Sequence, residues 1–289
     1  MVEELDELNR LFTSKNIEDV IKFYDHFDTA EQLIEWMKNR PTASMKIYEV
    51  EGEKDIVVVI PTPNHEGELA KNCANNIFKG QQIVFIESNG PFFNYARSCN
   101  YGLKYALKYN PKWVVLSGHD VSKIDSLDKL KDLLRLKNSD LVIIDPAYGH
   151  SFLTSISKST LLADIYRRLK DKRLHRLVGK FGIKYFTPTM KFPKNIVYRP
   201  MEKFLSFTNF AIFNPMLIRS YNKIFDSIFI NGSEDIYFCY ILHKLNRKVT
   251  VLDWKLGDVN YSTLGTGKLR VLRSLASLVY FNDLIKAYL

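Results

Sequence analysis

The sequence predicts an α/β protein with a mostly parallel central sheet flanked by helices. Three apolar runs of strand length carry that prediction: IVVVI at 56–60, IVFIE at 83–87 and WVVL at 113–116. Near-continuous Val/Ile/Leu runs are the pattern of strands buried on both faces, and helix-like segments lie between them, as crossovers require. Each run stops at polar or turn residues: Pro61-Thr62, Glu87 to Gly90, and Gly118 to Asp120. Open α/β sheets bind ligands beyond the carboxyl ends of their strands. A function is therefore sought first at these three stops.

The elements follow in order. Residues 1–53 read as a helical extension packed onto the main domain. Leu5, Leu8, Leu11 and Phe12 recur at helical spacing, Asn16 precedes IEDVIKFYDHF, Thr29 caps AEQLIEWMKNR, and Pro41 breaks the chain. After the first strand, a helix is expected over about 66–78, with Gly80 at its end. A second helix is expected over 94–109, closed by Pro111, and a third over 126–136, started by Ser126. Leu141 to Ile144 is a fourth strand, ending at Asp145-Pro146. FLSFTNFAIFN reads as strands, and MLIRSYNKIF and SEDIYFCYILHKLNRK as helices separated by a turn at Asn231-Gly232. Val249 to Leu252 is a late strand. The segment 266–289 is an amphipathic C-terminal helix.

Charge is unevenly placed. The chain carries +9 overall, yet residues 1–50 hold six Lys/Arg against eleven Asp/Glu, and residues 151–200 hold twelve against two. The basic excess sits on STLLADIYRRLKDKRLHRLVGKFG, where Arg167, Arg168, Lys172 and Arg173 interleave with Leu169, Leu174 and Leu177. Such a face suits phosphates, anionic lipid or nucleic acid; a plain solvated helix face has the same pattern. Three scattered cysteines, Cys73, Cys99 and Cys239, form neither a disulfide framework nor a zinc site. The acidic start MVEELDELNR lacks an apolar core run, and no run of about 18 apolar residues occurs. A cytoplasmic protein, associated peripherally with a membrane surface, is the expectation.

Five segments carry further information: VVIPTPN at 58–64, IVFIESNG at 83–90, ARSCNYG at 96–102, LSGHDV at 116–121 and FINGSEDIYFCYILHKLNRKV at 229–249. In this order and spacing, over about residues 55–254, they resemble family-2 glycosyltransferases of the GT-A fold. The resemblance implies a domain at 54–265, with a nucleotide-sugar half at 54–148 and an acceptor half at 149–265. It implies an inverting transfer of a sugar from a nucleotide-diphosphate sugar to an acceptor hydroxyl, assisted by Mn²⁺ or Mg²⁺.

By that resemblance, Pro61 and Thr62 meet the nucleotide base, and Glu87, with Asn89, meets base or ribose. Arg97, Asn100 and Gly102 lie near the donor, Arg97 reaching a phosphate. The family's Asp-any-Asp metal signature becomes Gly118-His119-Asp120, so Asp120 is the metal ligand and His119 its neighbour. Hard divalent ions often take only one or two carboxylates plus phosphate and water. Asp235 is the expected base and Glu234 its positioning partner, both at a helix start whose dipole favours the ionised form. The histidine that often follows the family's last strand is missing. Asp258, Asn260 or Tyr261 stand in its region, with Lys268 and Arg270 available to a diphosphate.

Each segment also has a plainer reading: a strand-stopping Pro-Thr-Pro, a polar turn, a helix-surface Asn100, a Ser233 cap. The alternatives are a non-catalytic nucleotide-sugar or nucleic-acid-binding protein with a degenerate metal motif, and a nucleotidyltransferase. The latter needs a Gly-rich basic loop after the first strand, which PTPNHEGE does not supply.

Overall fold

The computed structural model describes residues 2–27, 29–144, 147–153, 184–185, 197–207, 209–230, 232–258 and 267–286. The basic stretch 159–182, the turn residue Asn231, Asp145-Pro146, Asn260 and Tyr261 lie outside them.

A seven-stranded sheet organises the protein. Its strands are β1 (Lys46–Val50), β2 (Glu53–Thr62), β3 (Gln81–Glu87), β4 (Trp113–Ser117), β6 (Leu141–Ile143), β10 (Phe210–Phe213) and β11 (Val249–Val251). They lie in the order β1-β3-β2-β4-β10-β6-β11. β3, β2 and β4 run parallel, β6 and β11 run parallel to each other, and β10 is antiparallel to both neighbours. Five of the seven strands therefore point the same way, and β1 and β10 oppose them. The small strands β5 (Val121–Lys123) and β12 (Leu256–Asp258) pair with each other, as β7 (Ala147–Leu153) and β8 (Lys184–Tyr185) do with β9 (Val197–Ser206).

The apolar runs behave as their composition demands. Val57, Val59, Val84 and Ile86 face one core, and Ile56, Val58, Ile60, Ile83 and Phe85 face the other. Alternation with both faces buried is what a covered parallel sheet requires. The second face is covered by α4 (Glu68–Asn72), which continues into a π-helical turn at Cys73–Ile77, and by α6 (Leu127–Leu134). The first face takes α5 (Tyr95–Ala106), α7 (Pro215–Ser220) and α8 (Glu234–Lys244). α5 lies so close that a Cβ on Gly102 would stand 2.3 Å from Val59 Cγ1 and 2.8 Å from Ile86 Cγ1. Alanine is the better helix former by about 1 kcal/mol, but overpacking costs about 1–3 kcal/mol, so glycine wins here. Gly102 thus has a packing reason, whatever binds nearby.

The N-terminal extension is only partly helical. α1 (Val2–Thr13), α2 (Ile17–Asp25) and α3 (Ala30–Asn39) form as expected, with Asn16 and Thr29 as caps. Residues 46–50, however, are an edge strand of the main sheet, antiparallel to β3. KIYEV escapes a periodicity reading because an edge strand buries little: none of its five residues is fully buried. The C-terminal helix α9 (Gly267–Lys286) packs on α2 and α3, and Leu272, Leu275, Ala276, Val279, Phe281 and Ile285 are buried. The Tyr24 hydroxyl donates to Leu272 O (2.6 Å) and accepts from Ala276 N (3.1 Å). The apolar face of this helix is therefore spent inside the protein; the basic stretch that motivates the membrane expectation lies outside the described residues. No described helix is long and apolar enough to cross a membrane.

Candidate functional site

The carboxyl ends of β2, β3 and β4 lie side by side, with Thr62 opposite Glu87 and Val59 opposite Leu116. The sequence-predicted residues at these ends are brought to one edge. Their polar atoms are already engaged in specific ways. Thr62 Oγ1 donates to Asn64 O (3.0 Å) and accepts from Asn64 N (3.3 Å), closing a turn. Asn89 Nδ2 donates to Pro63 O at 3.2 Å, and Gly90 turns the chain at φ +88°. That left-handed conformation favours glycine.

Glu87 is met by a residue the sequence reading passed over. His65 brings its main-chain N–H (3.0 Å) and its ring Nδ1 (2.6 Å) to Glu87 Oε2. The ring is stacked on Tyr48, centroids 3.5 Å apart and 10° from parallel. The His65 hydrogen bonds hold the Glu87 carboxyl below the usual carboxylate range. No periodicity singles out His65. Its position three residues after the end of β2 is the one available sign.

The loop after β4 is tightly packed. Gly118 N donates to Asn209 O at 2.7 Å, Ser117 Oγ donates to Gly118 O at 2.9 Å, and Cys73 Sγ approaches the same oxygen at 3.7 Å. The π-helical turn brings Cys73 there, and burial pushes its thiol up to about 12. A Cβ on Gly118 would stand 2.7 Å from Asp120 Oδ1. The Asp120 carboxylate folds back over the position where the resembled family has its first acid. Burial lowers the pKa of His119, opposed by Asp120 and by a hydrogen bond to the Pro61 carbonyl. The ring is thus biased toward its neutral, ligand-competent form. Asp258 pairs with Val121 in the β5–β12 ladder, which sets residue 258 beside this loop.

Among the described residues, no three His, Cys, Asp or Glu side chains converge to hold a metal. Asp120 with a neutral His119 is a small donor set. It fits Mg²⁺ or Mn²⁺ that takes its remaining ligands from phosphate oxygens and water, and it does not fit an all-protein cage.

At α8 the geometry departs from the sequence reading twice. Ser233 does not cap the helix: it sits at φ +69° with no side-chain cap hydrogen bond. Glu234 folds back instead, its Oε2 accepting from Gly232 N at 2.6 Å. A non-glycine residue at this φ is uncommon, and such strain concentrates at functional sites. Nor does the helix dipole hold the pair's pKa values down. Burial raises the Glu234 carboxyl to about 7, and burial, with the neighbouring Glu234 charge, raises Asp235 well above its ordinary value. Desolvation by burial outweighs the dipole here, and the pair's charges reach α5. Tyr95 and Cys99 are raised first by their own burial, and the Glu234 and Asp235 charges add to both. Cys239, raised to about 12 by burial, also feels Asp235 and bonds with Ser206 and the Phe207 main chain. Phe207 meets Cys239 of α8 and Asn209, two residues on, holds Gly118 of the β4 loop.

The two asparagines of α5 serve the structure. Asn94 caps α5 through Oδ1 and donates to Ser227 O and Phe229 O. Asn100 Nδ2 donates to Phe225 O (2.7 Å) while its Oδ1 accepts from Ile224 N and Phe225 N (both 2.9 Å). Its amide holds the loop that leads into α8, so it positions that loop, with one Nδ2 hydrogen beyond these bonds. Arg97 stands half-buried in the first turn of α5. The Tyr95–Cys99 pair, one helical turn apart on α5 and facing α8, was readable only as i,i+4 spacing. Compared with models of known protein families and with curated proteins, the chain gives no match.

Proposed function

We propose that the protein is a glycosyltransferase of GT-A type, moving a sugar from a nucleotide-diphosphate sugar to an acceptor hydroxyl with inversion. The observation that carries the reading is the adjacent Glu234–Asp235 pair, Glu234 buried and both charges felt by Tyr95 and Cys99 on the helix that follows β3. Two neighbouring carboxyls raised by burial, Glu234 to about 7, suit proton transfer with an acceptor hydroxyl. In this reading Asp235 takes the proton of the acceptor hydroxyl as its oxygen bonds to the anomeric carbon. The bond from that carbon to the diphosphate oxygen breaks, and the diphosphate leaves with the electron pair. Glu234, tied to Gly232 N, positions Asp235. Glu87 and Asn89 face the nucleoside, with Arg97 nearby for a phosphate. A bound Mn²⁺ or Mg²⁺, held by Asp120 beside His119, would supply charge neutralisation on the leaving diphosphate.

The experiment is a thermal-shift screen of UDP-, GDP-, dTDP- and CDP-sugars with and without Mn²⁺, followed by assay of nucleotide release. A donor that binds the native state raises the melting temperature, and Asp120→Asn is expected to abolish most of the Mn²⁺-stimulated part. Absence of any shift and of any turnover overturns the reading.

A further inference from the structure

Three connections meet at one end of the sheet, opposite the carboxyl ends of β2, β3 and β4. They lead from α6 into β6 (residues 135–140), from β10 into α7 (214–219) and from α8 into β11 (244–248). Hydrogen bonds tie them together. Asn214 N donates to Asp140 O (3.0 Å), Asn214 Nδ2 to Ser139 O (3.2 Å), and Asp140 N to Lys248 O (2.9 Å). Each connection lifts one large apolar side chain into solvent: Leu136 is 92% exposed, Met216 67% and Leu245 55%. A single exposed leucine needs no explanation. These three, however, are among the four most exposed large hydrophobics of the described residues, and they share one end. The fourth, Ile124 (60%), follows β5 at the other end.

The same connections are basic. They hold Arg135, Lys137, Arg219, Lys244, Arg247 and Lys248 against one acid, Asp140. Asp140 is already engaged: its Oδ2 accepts from Lys248 N (2.9 Å) and its Oδ1 meets Arg247 Nη1 at 3.8 Å. Farther along this end, Asp55 and Glu53 are paired with Lys112 and Lys131. Each apolar tip has a cation beside it. Leu136 lies between Arg135 and Lys137, Leu245 follows Lys244, and Arg219 Nη1 reaches Met216 Sδ at 4.0 Å. An anionic lipid surface rewards both features, by attraction to its headgroups and by burial of a few methylenes beneath them. A protein partner is served less well. Protein interfaces favour aromatic anchors in packed pockets and deplete lysine, whereas these connections carry three lysines and no aromatic residue. We infer that this end of the sheet docks on an anionic lipid surface, with Leu136, Met216 and Leu245 inserted among the headgroups. The carboxyl edge of β2, β3 and β4 then faces away from the lipid. The docking uses none of the residues of the sugar-transfer reading and stands apart from it.

The test is flotation of the full chain with phosphatidylcholine vesicles, with and without phosphatidylserine. Binding is expected only with phosphatidylserine and should weaken as salt is added. Arg135→Gln and Lys137→Gln should each weaken partitioning about five-fold. Leu136→Ser combined with Leu245→Ser should weaken it about ten-fold or more. The melting temperature of that double variant should be unchanged, because both side chains are exposed. Fluorescence reads the orientation. Leu136→Trp emission should shift to the blue on anionic vesicles, and Ile124→Trp emission should not. The basic stretch 159–182 is the competing anchor, so the Leu136→Trp shift should persist when Arg167→Gln and Arg168→Gln are added. The inference is overturned by no binding to anionic vesicles at low salt, by equal binding to neutral ones, by binding unchanged in the double serine variant, or by a blue shift in Ile124→Trp alone. A dimer that is lost in the double serine variant, without vesicle binding, would make this end a protein interface and overturn it too. Vesicle binding without nucleotide-sugar turnover would leave the docking standing and remove the transferase reading.

Discussion

Glu87 and Glu234 are the same residue type bordering the same candidate site, yet their carboxyls move in opposite directions. Glu87 ends a strand at the sheet edge, where His65 supplies two hydrogen bonds and holds it low. Glu234 starts a helix, accepts a main-chain N–H and has the dipole's support, and is still raised to about 7 because it is buried. The comparison teaches which term decides. Hydrogen bonds win where water still reaches, and desolvation wins where it does not. At neutral pH Glu87 is a fixed charge, suited to holding hydroxyls or a cation. Burial raises both carboxyls of the Glu234–Asp235 pair, Glu234 to about 7, and the two titrate as a unit, so the pair is the part able to move a proton.

The sharpest way to break this division is Asp235→Asn. If the buried pair is the base, sugar transfer should fall by a factor on the order of 10² to 10⁴, while the donor-induced thermal shift is kept. Full turnover in the variant would place the base elsewhere. Glu234→Gln should cost less activity, and it exposes the burial cost directly. An acid whose folded pKa is raised holds its proton more tightly when native. As pH rises from the unfolded value of 4.5 to about 7, the unfolded chain loses its proton first, and stability falls across that window. The Glu234 part of the wild-type melting temperature should therefore decline from pH 5 to 7.5. In Glu234→Gln the decline should be smaller, with the remainder due to Asp235. Identical slopes in the two proteins would show that Glu234 is not desolvated.

Much of this architecture was legible because burial on both faces writes itself into composition. IVVVI, IVFIE and WVVL each became a central strand, and the caps at Asn16, Thr29 and Ser126 hold by side-chain hydrogen bonds. What composition does not encode was missed. β1 buries little. The helix expected over 66–78 is short and becomes π-helical at Cys73, which carries that residue to the β4 loop. Ser233 followed by two acids is a good cap pattern, but Ser233 sits at φ +69° and Glu234 takes the Gly232 N–H instead. The engagement of Asn100 with residues 224–225 and of His65 with Glu87 joins positions 124 and 22 residues apart. No local pattern carries such pairings. The positions of Pro61, Thr62, Glu87 and Asp120 at one edge were legible from strand ends; the state of their polar atoms was not.

The smallest expected effect tests the exposed half of the comparison. His65→Ala removes the ring that both bonds Glu87 and stacks on Tyr48, but leaves the main-chain N–H of residue 65 in place. Both side chains of the pair are about one-fifth exposed, so the loss should be below about 1 kcal/mol, in the range of solvated pairs. Its pH dependence has the opposite sign to that of Glu234. A depressed carboxyl contributes stability above the unfolded value of 4.5 and loses it as pH falls through the folded pKa. The difference between wild type and His65→Ala should thus be present at pH 7 and shrink below pH 4. Carboxyl NMR titration of Glu87 reads the same change residue by residue: its midpoint should rise toward 4.5 without reaching it, because one donor remains. A midpoint that does not move in His65→Ala would mean that His65 does not hold Glu87, and the contrast between the two glutamates would then rest on burial alone.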